Sequence, residues 1–148
     1  MENLELRMED AVFERDGKSV RIVLPLDPAT KKNSGQIFVK KTKTGKKVPF
    51  ISPSERYKNY EYLCGFVLKA AGIDYPVNVK AHFYMKTRRR VDLTNLNEAL
   101  HDVLVGCGTL EDDNAAIVVS TDGSRVYYDR EFPRTEVWIT PAEKTFIT

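Results

Sequence analysis

Residues 77–106 read VNVKAHFYMKTRRRVDLTNLNEALHDVLVG, and this stretch decides the fold. From Val77 to Met85 apolar and polar side chains alternate, which predicts a half-buried strand of about nine residues. From about Leu93 to Val105 the apolar side chains recur at helical spacing, and Gly106 is expected to end the helix. Segment 87–92, which contains three arginines, therefore connects the strand to the helix.

Further elements are predicted on both sides of this unit. A helix is expected to start at Ser52-Pro53-Ser54-Glu55, where Ser52 and Glu55 form a capping box. Its apolar stripe continues to Ala71, and Gly72 supplies a stop. The β-rich runs are residues 20–24, 37–41, 47–51, 115–120 and 134–140. The expected fold class is α+β (mixed α/β), with a small mixed β-sheet and two main helices.

Length and composition are those of an ordinary globular domain. The chain has 148 residues, of which 42% are hydrophobic, and no repeat or composition break divides it. We expect one domain over residues 1–148, with a core at about 20–140, a short N-terminal extension and a C-terminal tail.

Cysteine usage and the N-terminus predict the compartment. Cys64 and Cys107 lack any C-x-x-C partner, which argues against a zinc site and a disulfide framework. The first residues are acidic and no apolar run approaches the ~18 residues of a membrane span. We therefore expect a cytoplasmic protein that does not enter a membrane.

The net charge of +2 conceals a segregation of charge along the chain. Residues 1–90 carry 19 basic and 10 acidic side chains, whereas residues 91–148 carry 4 basic and 11 acidic ones. The two parts therefore have net charges of +9 and −7. Such an asymmetry favours a polyanionic partner for the basic part, although a solvated lysine-rich hairpin explains the lysines equally well.

A nucleic acid, if it is the polyanionic partner, would meet a set of basic and polar residues through its backbone. Phosphate contacts of this kind position a nucleic acid without reading its sequence. The predicted residues are Lys31, Lys32, Asn33, Lys40, Lys41, Lys43, Lys46, Lys47, Arg88, Arg89, Arg90 and Arg125.

Three acidic positions lie where elements are expected to end. Asp92 stands at the strand-to-helix junction, and Asp112-Asp113 stand in a loop that enters a strand. Loop carboxylates that converge can hold Mg²⁺, and the ion can activate water for attack on a phosphodiester. Two simpler interpretations remain open: Asp92 caps the helix, and Asp112-Asp113-Asn114 is ordinary turn chemistry. His82 and His101 are expected on the polar face of a strand and the outer face of a helix, so no catalytic triad is predicted.

One combination of motifs resembles a known family. The run RRRVDLTNLNEALHDVL at residues 88–104, followed by GTLEDD at 108–113, resembles the RusA family of Holliday junction resolvases. The segment LPLDP at residues 24–28 with Lys32-Asn33 is similar to the family's proline-rich, asparagine-containing N-terminal segment. The resemblance spans most of the chain between Val20 and Ile139.

The resemblance implies a RusA-like fold and a homodimeric, Mg²⁺-dependent endonuclease that makes paired nicks in four-way DNA junctions. It implies a bacterial or phage origin. Asp92 matches the first catalytic aspartate of the family, and Asp113 matches the aspartate of the second motif, with Asp112 beside it. Asp102 matches an acid within the helix and is expected to assist in metal binding. Asn95 matches the asparagine that follows the first acidic motif.

Two positions depart from the family pattern. Thr94 stands where the family has its second aspartate, and Glu98 stands where it has a lysine that assists catalysis. Three alternatives to a junction resolvase therefore remain. They are a junction-binding protein with weakened activity, a nuclease that prefers flaps or forks, and a nucleic-acid-binding module whose acids only cap helices.

Overall fold

The computed structural model describes residues 4–31, 36–52 and 55–144, and the side chains of 36–40 and 48–52 lie outside the described part. A 3₁₀ helix at Met8–Asp10 precedes the first strand. The chain is α+β, as expected. Its strands are β1 (Val12–Asp16), β2 (Ser19–Leu24), β3 (Gln36–Lys41), β4 (Lys47–Ser52), β5 (Val77–Met85), β6 (Val118–Ser120), β7 (Arg125–Tyr128) and β8 (Arg134–Pro141), and its helices are α1 (Glu55–Cys64) and α2 (Leu93–Gly106).

Six strands form the main, mixed sheet. Five of them follow the order β1-β2-β8-β5-β6, and β7 pairs with β5 beside β6. The pairs β1–β2, β2–β8 and β5–β8 are antiparallel, whereas β6 and β7 both run parallel to β5. It follows that β2, β5 and β7 all point in one direction and end at the same end of the sheet.

Strand β5 shows why the core forms on one face of this sheet. Its residues alternate between buried and half-buried along its whole length, as the sequence predicts. Val79 and Ala81 are fully buried, and Leu100 and Leu104 of α2 belong to the same core cluster. Strand β5, through its period of two, and helix α2, through its apolar stripe, thus each bury one apolar face in the same core.

Helix α1 is shorter than its apolar pattern predicts. It ends at Cys64 instead of near Ala71, because Gly65, Phe66 and Val67 each donate a backbone hydrogen bond to the residue three positions earlier. Turns of this kind keep side chains at three-residue spacing, so Val67 and Leu68 are still buried. The predicted cap lies partly outside the described residues: Ser52 is the last residue of β4, and Pro53 and Ser54 are not described.

Three other expectations about strands need correction. The strand predicted at 115–120 covers only Val118–Ser120, because the main chain and side chain of Asn114 accept hydrogen bonds from the amides of 116–118. Strand β7 was not expected. Strand β1 lies in the predicted N-terminal extension, where Phe13 packs against the core. The sheet therefore starts before residue 20.

The predicted lysine-rich hairpin is present as a two-stranded sheet of its own. Strands β3 and β4 pair antiparallel, with Ile37 opposite Ile51 and Val39 opposite Pro49. Residues 42–46 form the turn, in which Thr42 bonds to Gly45 and Lys46. The side chains of residues 41–47, which include the lysines of the tip, are exposed.

Two further expectations from the sequence concern disulfides and membrane-spanning helices. Cys64 and Cys107 are both free thiols, and burial raises the pKa of each. Within residues 4–31, 36–52 and 55–144, neither helix has the length and apolarity that a bilayer crossing requires.

Candidate nucleic-acid interface

Three loops leave the sheet at one end because β2, β5 and β7 are parallel to one another. We call this the carboxyl end of the sheet; its loops are residues 25–31, 86–92 and 129–133. Hydrogen bonds tie the loops together. The Lys86 amide donates to Asp27 Oδ1 over 3.0 Å, and the Asp129 amide donates to the Met85 carbonyl over 2.9 Å. Residues 59 positions apart in sequence are thus neighbours here.

Exposed cations cluster at this end. Lys86, Arg88 and Arg130 line one open recess of ≈ 740 Å³, and Arg89 and Arg90 follow on the same exposed loop. None of the five forms an ion pair with a carboxylate in the described part of the chain. Their charges therefore remain available to a ligand.

Other cations near this end have structural partners. Arg56 pairs with Asp27 between α1 and the loop after β2. Arg134 binds Asp129 at 3.0 Å and Glu136 at 2.9 Å. Asp27, Asp129 and Glu136 are thus paired with arginines that do not line the open recess.

An aromatic side chain lies beside the unpaired cations. Tyr128 is the last residue of β7, pairs with Met85 of β5 and is 50% exposed. The Arg88 guanidinium lies over its ring, 5.9 Å from the centroid. Thr87 completes the lining of the recess.

Asp92 lies at the same end as these cations. It precedes α2 in extended conformation, and its side chain makes no capping hydrogen bond. The capping interpretation of this carboxylate is therefore wrong. Asp92 Oδ2 instead accepts a long hydrogen bond of 3.5 Å from Asn95 Nδ2, and the carboxylate is exposed.

Asp112 and Asp113 follow the opposite end of α2. Asp112 accepts hydrogen bonds from the Asp113 amide at 2.8 Å and from Asn114 Nδ2 at 2.9 Å. These bonds stabilise the carboxylate, led by the one from Asn114, and lower the pKa of Asp112. The turn interpretation of this segment is thus confirmed for Asp112, while Asp113 keeps an exposed side chain.

The middle of α2 carries a separate polar cluster. Asp102 forms an ion pair of 2.6 Å with Lys31, and this hydrogen bond raises the pKa of Lys31. His101 is half-buried rather than on the outer face that the sequence predicts. Burial lowers its pKa, and the nearby carboxylates of Asp113 and Asp102 oppose that shift. The loop of Asp113 therefore approaches the second half of the helix.

The predicted magnesium ligands are distributed along α2. Asp92 precedes the helix, Asp102 lies in its second half, and Asp112 and Asp113 follow it. Their oxygen chemistry suits Mg²⁺, but Asp112 and Asp102 already have partners. Across residues 4–31, 36–52 and 55–144, no three His, Cys, Asp or Glu side chains are grouped to hold a metal ion. The predicted ligands thus form no group of three within the described residues of one copy.

The other predicted DNA contacts are distributed over two regions. Lys41, Lys43, Lys46 and Lys47 are exposed on the hairpin. Arg125 lies over the Tyr127 ring, on the sheet face that also carries Lys80 and Trp138. Lys32, Asn33 and the side chain of Lys40 lie outside the described residues.

Sequence reasoning did not single out Lys86, Tyr128 or Arg130. Lys86 lies two residues before the arginine run, a signal that was present in the sequence. Tyr128 and Arg130 become neighbours of that run only through the parallel pairing of β7 with β5. No protein-family model and no curated protein matches this chain.

Proposed function

We propose that the protein is a structure-specific endodeoxyribonuclease that binds branched DNA and makes paired nicks in four-way junctions. The observation that carries the proposal is the group of exposed cations at Lys86, Arg88–Arg90 and Arg130 beside the exposed carboxylate of Asp92. Such cations bind phosphates, and a carboxylate at their margin is placed to act near a bound backbone.

The N-terminus of α2 supports phosphate binding at the same place. The Asp92 side chain makes no capping hydrogen bond to the first amides of this helix, and the Leu96 amide donates to the Asp92 carbonyl. Uncapped amides and the helix dipole attract anions. A DNA phosphate at this position would lie between the amides and the arginine run.

The choice of a four-way junction rests on the RusA-like run at residues 88–113. That run supplies Asp92 and Asp113 as the proposed catalytic aspartates, with Asp112 and Asp102 beside them. Mg²⁺ dependence is part of the proposal for the same reason, since the proposed residues are oxygen donors of the kind Mg²⁺ prefers.

A homodimer is part of the proposal, because Asp92 precedes α2 and Asp113 follows it, and the described residues of one copy group no three possible metal ligands. A two-fold dimer can place Asp92 of one copy against Asp113 of the second and would create two equal sites. Two sites related by symmetry are what paired incision of two strands requires.

Nick mapping tests the proposal. We expect purified protein to nick a synthetic four-way junction symmetrically in Mg²⁺, and to leave a fork, a linear duplex and chelator-treated samples intact. Asp92→Asn should abolish nicking and leave junction affinity unchanged or higher, because a carboxylate repels phosphate. Unchanged nicking by this variant would rule out Asp92 as a catalytic aspartate. Nicks found only in forks would show that the substrate is a branched DNA other than a four-way junction.

Mixed dimers test the shared site. Asp92→Asn and Asp113→Asn should each be inactive alone, whereas a refolded mixture should regain single-strand nicking. In a shared arrangement the mixed dimer has one site with both aspartates and one with neither. If each site is built from one copy, no dimer in the mixture has an intact site, and an inactive mixture would overturn the shared arrangement.

A junction-binding protein without nuclease activity is the second candidate. The absence of a metal-binding group among the described residues of one copy favours it, as do Thr94 and Glu98 at the two altered motif positions. It predicts tight junction binding in chelator, no nicks in Mg²⁺ and no effect of Asp113→Asn. The junction assay above separates the two candidates directly.

A further inference from the structure

The recess at the carboxyl end of the sheet combines an aromatic ring with positive charge. Its lining consists of Lys86, Thr87, Arg88, Tyr128 and Arg130. Half of the Tyr128 surface is exposed, although the ring extends from the last position of a strand in the main sheet. An exposed ring held by a rigid element is a suitable surface for stacking.

The backbone around the recess is fixed by the fold. Met85 and Tyr128 are paired in the sheet, and the Asp129 amide donates to the Met85 carbonyl over 2.9 Å. Asp129 also accepts hydrogen bonds from the amides of Glu131 and Phe132. Both loops that line the recess are therefore anchored where they leave their strands.

We propose that this recess binds an unpaired nucleotide of DNA, with the base stacked on Tyr128 and the flanking phosphates held by Lys86, Arg88 and Arg130. The inference rests on the proposed function and specifies it, because a branch point is where bases leave the duplex. An aromatic ring accepts any base, so this site recognises unpaired structure rather than sequence.

The details of the recess favour a nucleotide over an acidic peptide. The guanidinium of Arg88 lies over the Tyr128 ring, so a base can stack against an arginine–tyrosine pair. An acidic peptide would use the three cations but would gain little from the ring. The recess also lies next to Asp92, since only three residues separate Asp92 from Arg88.

Oligonucleotides with and without bases test the proposal. Anisotropy titrations of the full chain in chelator buffer would use fluorescent (dT)₁₀ and an abasic decamer with the same phosphates. Tyr128→Ala should weaken (dT)₁₀ binding about 10-fold, the scale of one aromatic stack, and leave the abasic decamer unchanged. Tyr128→Phe should retain the wild-type affinity, because it keeps the ring. An equal loss on both probes, or no loss on either, would overturn the proposal.

Matched variants separate stacking from charge and from folding. Tyr62→Ala removes a tyrosine that is 67% exposed on α1 and should change neither affinity. Arg130→Gln should weaken both probes similarly and reduce the dependence of affinity on salt. Tyr128→Leu provides a second ring-free variant if Tyr128→Ala does not fold. A decaglutamate peptide that competes equally with (dT)₁₀, in a manner that depends on Tyr128, would favour a protein partner and overturn the proposal.

These results are independent of catalysis. If no junction is nicked and Tyr128→Ala still weakens only (dT)₁₀, the nucleotide site stands and the nuclease proposal fails. If junctions are nicked and Tyr128→Ala changes no affinity, the nuclease proposal stands and the nucleotide site is overturned.

Discussion

Asp27 holds the carboxyl end of the sheet together at the scale of single residues. Its carboxylate forms an ion pair with Arg56 of α1 and accepts a hydrogen bond from the backbone amide of Lys86, the residue that follows β5. The side chains of Asp27 and Arg56 are only 13% and 17% exposed. One carboxylate therefore fixes a loop, a helix and the start of the basic segment relative to one another.

Asp27→Asn should lower the free energy of unfolding by about 2 kcal/mol, since hydrogen bonds to charged groups contribute more than neutral ones. Urea denaturation measures this change. Glu55→Gln is the control, because the Glu55–Lys58 pair is exposed and 3.8 Å long and should contribute less than about 0.5 kcal/mol. Equal effects of the two substitutions would contradict the role assigned to Asp27.

The turn between β6 and β7 shapes the sheet at the scale of elements. It lets two short strands share one side of β5, with Val118 opposite Val77 and Arg125 opposite His82. The Asn78 side chain stabilises the turn through two hydrogen bonds to Asp122. It donates one to the Asp122 carbonyl and accepts one from the Asp122 backbone amide. β7 is thereby directed to the carboxyl end of the sheet.

Gly123→Ala should destabilise this turn. Gly123 has a φ of +86°, and an added Cβ would lie 2.6 Å from Cδ of Lys80. The left-handed conformation alone costs a non-glycine residue about 1–2 kcal/mol. Thermal unfolding should show a lower Tm for Gly123→Ala and no decrease for Gly106→Ala, whose Cβ would meet open space at the end of α2. A stable Gly123→Ala would mean that the turn tolerates another conformation.

Charge is segregated over the whole molecule as well as along the chain. Exposed cations occupy the carboxyl end of the sheet and the described part of the hairpin, whereas the acidic loop at Glu111–Asp113 follows the far end of α2. Lys31 lies in the basic part of the sequence, but Asp102 neutralises it. Position in the fold, rather than position in the sequence, thus decides which lysines can meet a polyanion.

Single lysine substitutions test this distribution. Lys43→Gln on the hairpin should reduce the slope of log affinity against log salt by about 0.9 for duplex DNA, because one phosphate contact is lost. Lys18→Gln makes the same charge change in the turn between β1 and β2, at the opposite end of β2, and should leave the slope unchanged. Identical slopes for the two variants would exclude the hairpin as part of the DNA surface.

The elements determined by the sequence alone are those with a strong local period. Strand β5 and helix α2 occur within one residue of the predicted bounds, and Leu96, Ala99 and Leu100 are buried as expected. The hairpin and β8 were also predicted, because alternation and turn residues are local signals. The end of α1 was wrong because a three-residue turn preserves the apolar spacing of a helix.

Tertiary structure alone decided which distant groups meet. The parallel pairing of β7 with β5 places Tyr128 and Arg130 beside Lys86 and Arg88, and no local pattern encodes a pairing partner. Lys31 and Asp102 likewise meet only because the loop after β2 lies against α2. The sequence by itself determined which residues carry charge and which face the core, because both depend on side-chain chemistry and local period. Only the fold decided which of the described charges form ion pairs, because that depends on the direction in which each element leaves the sheet.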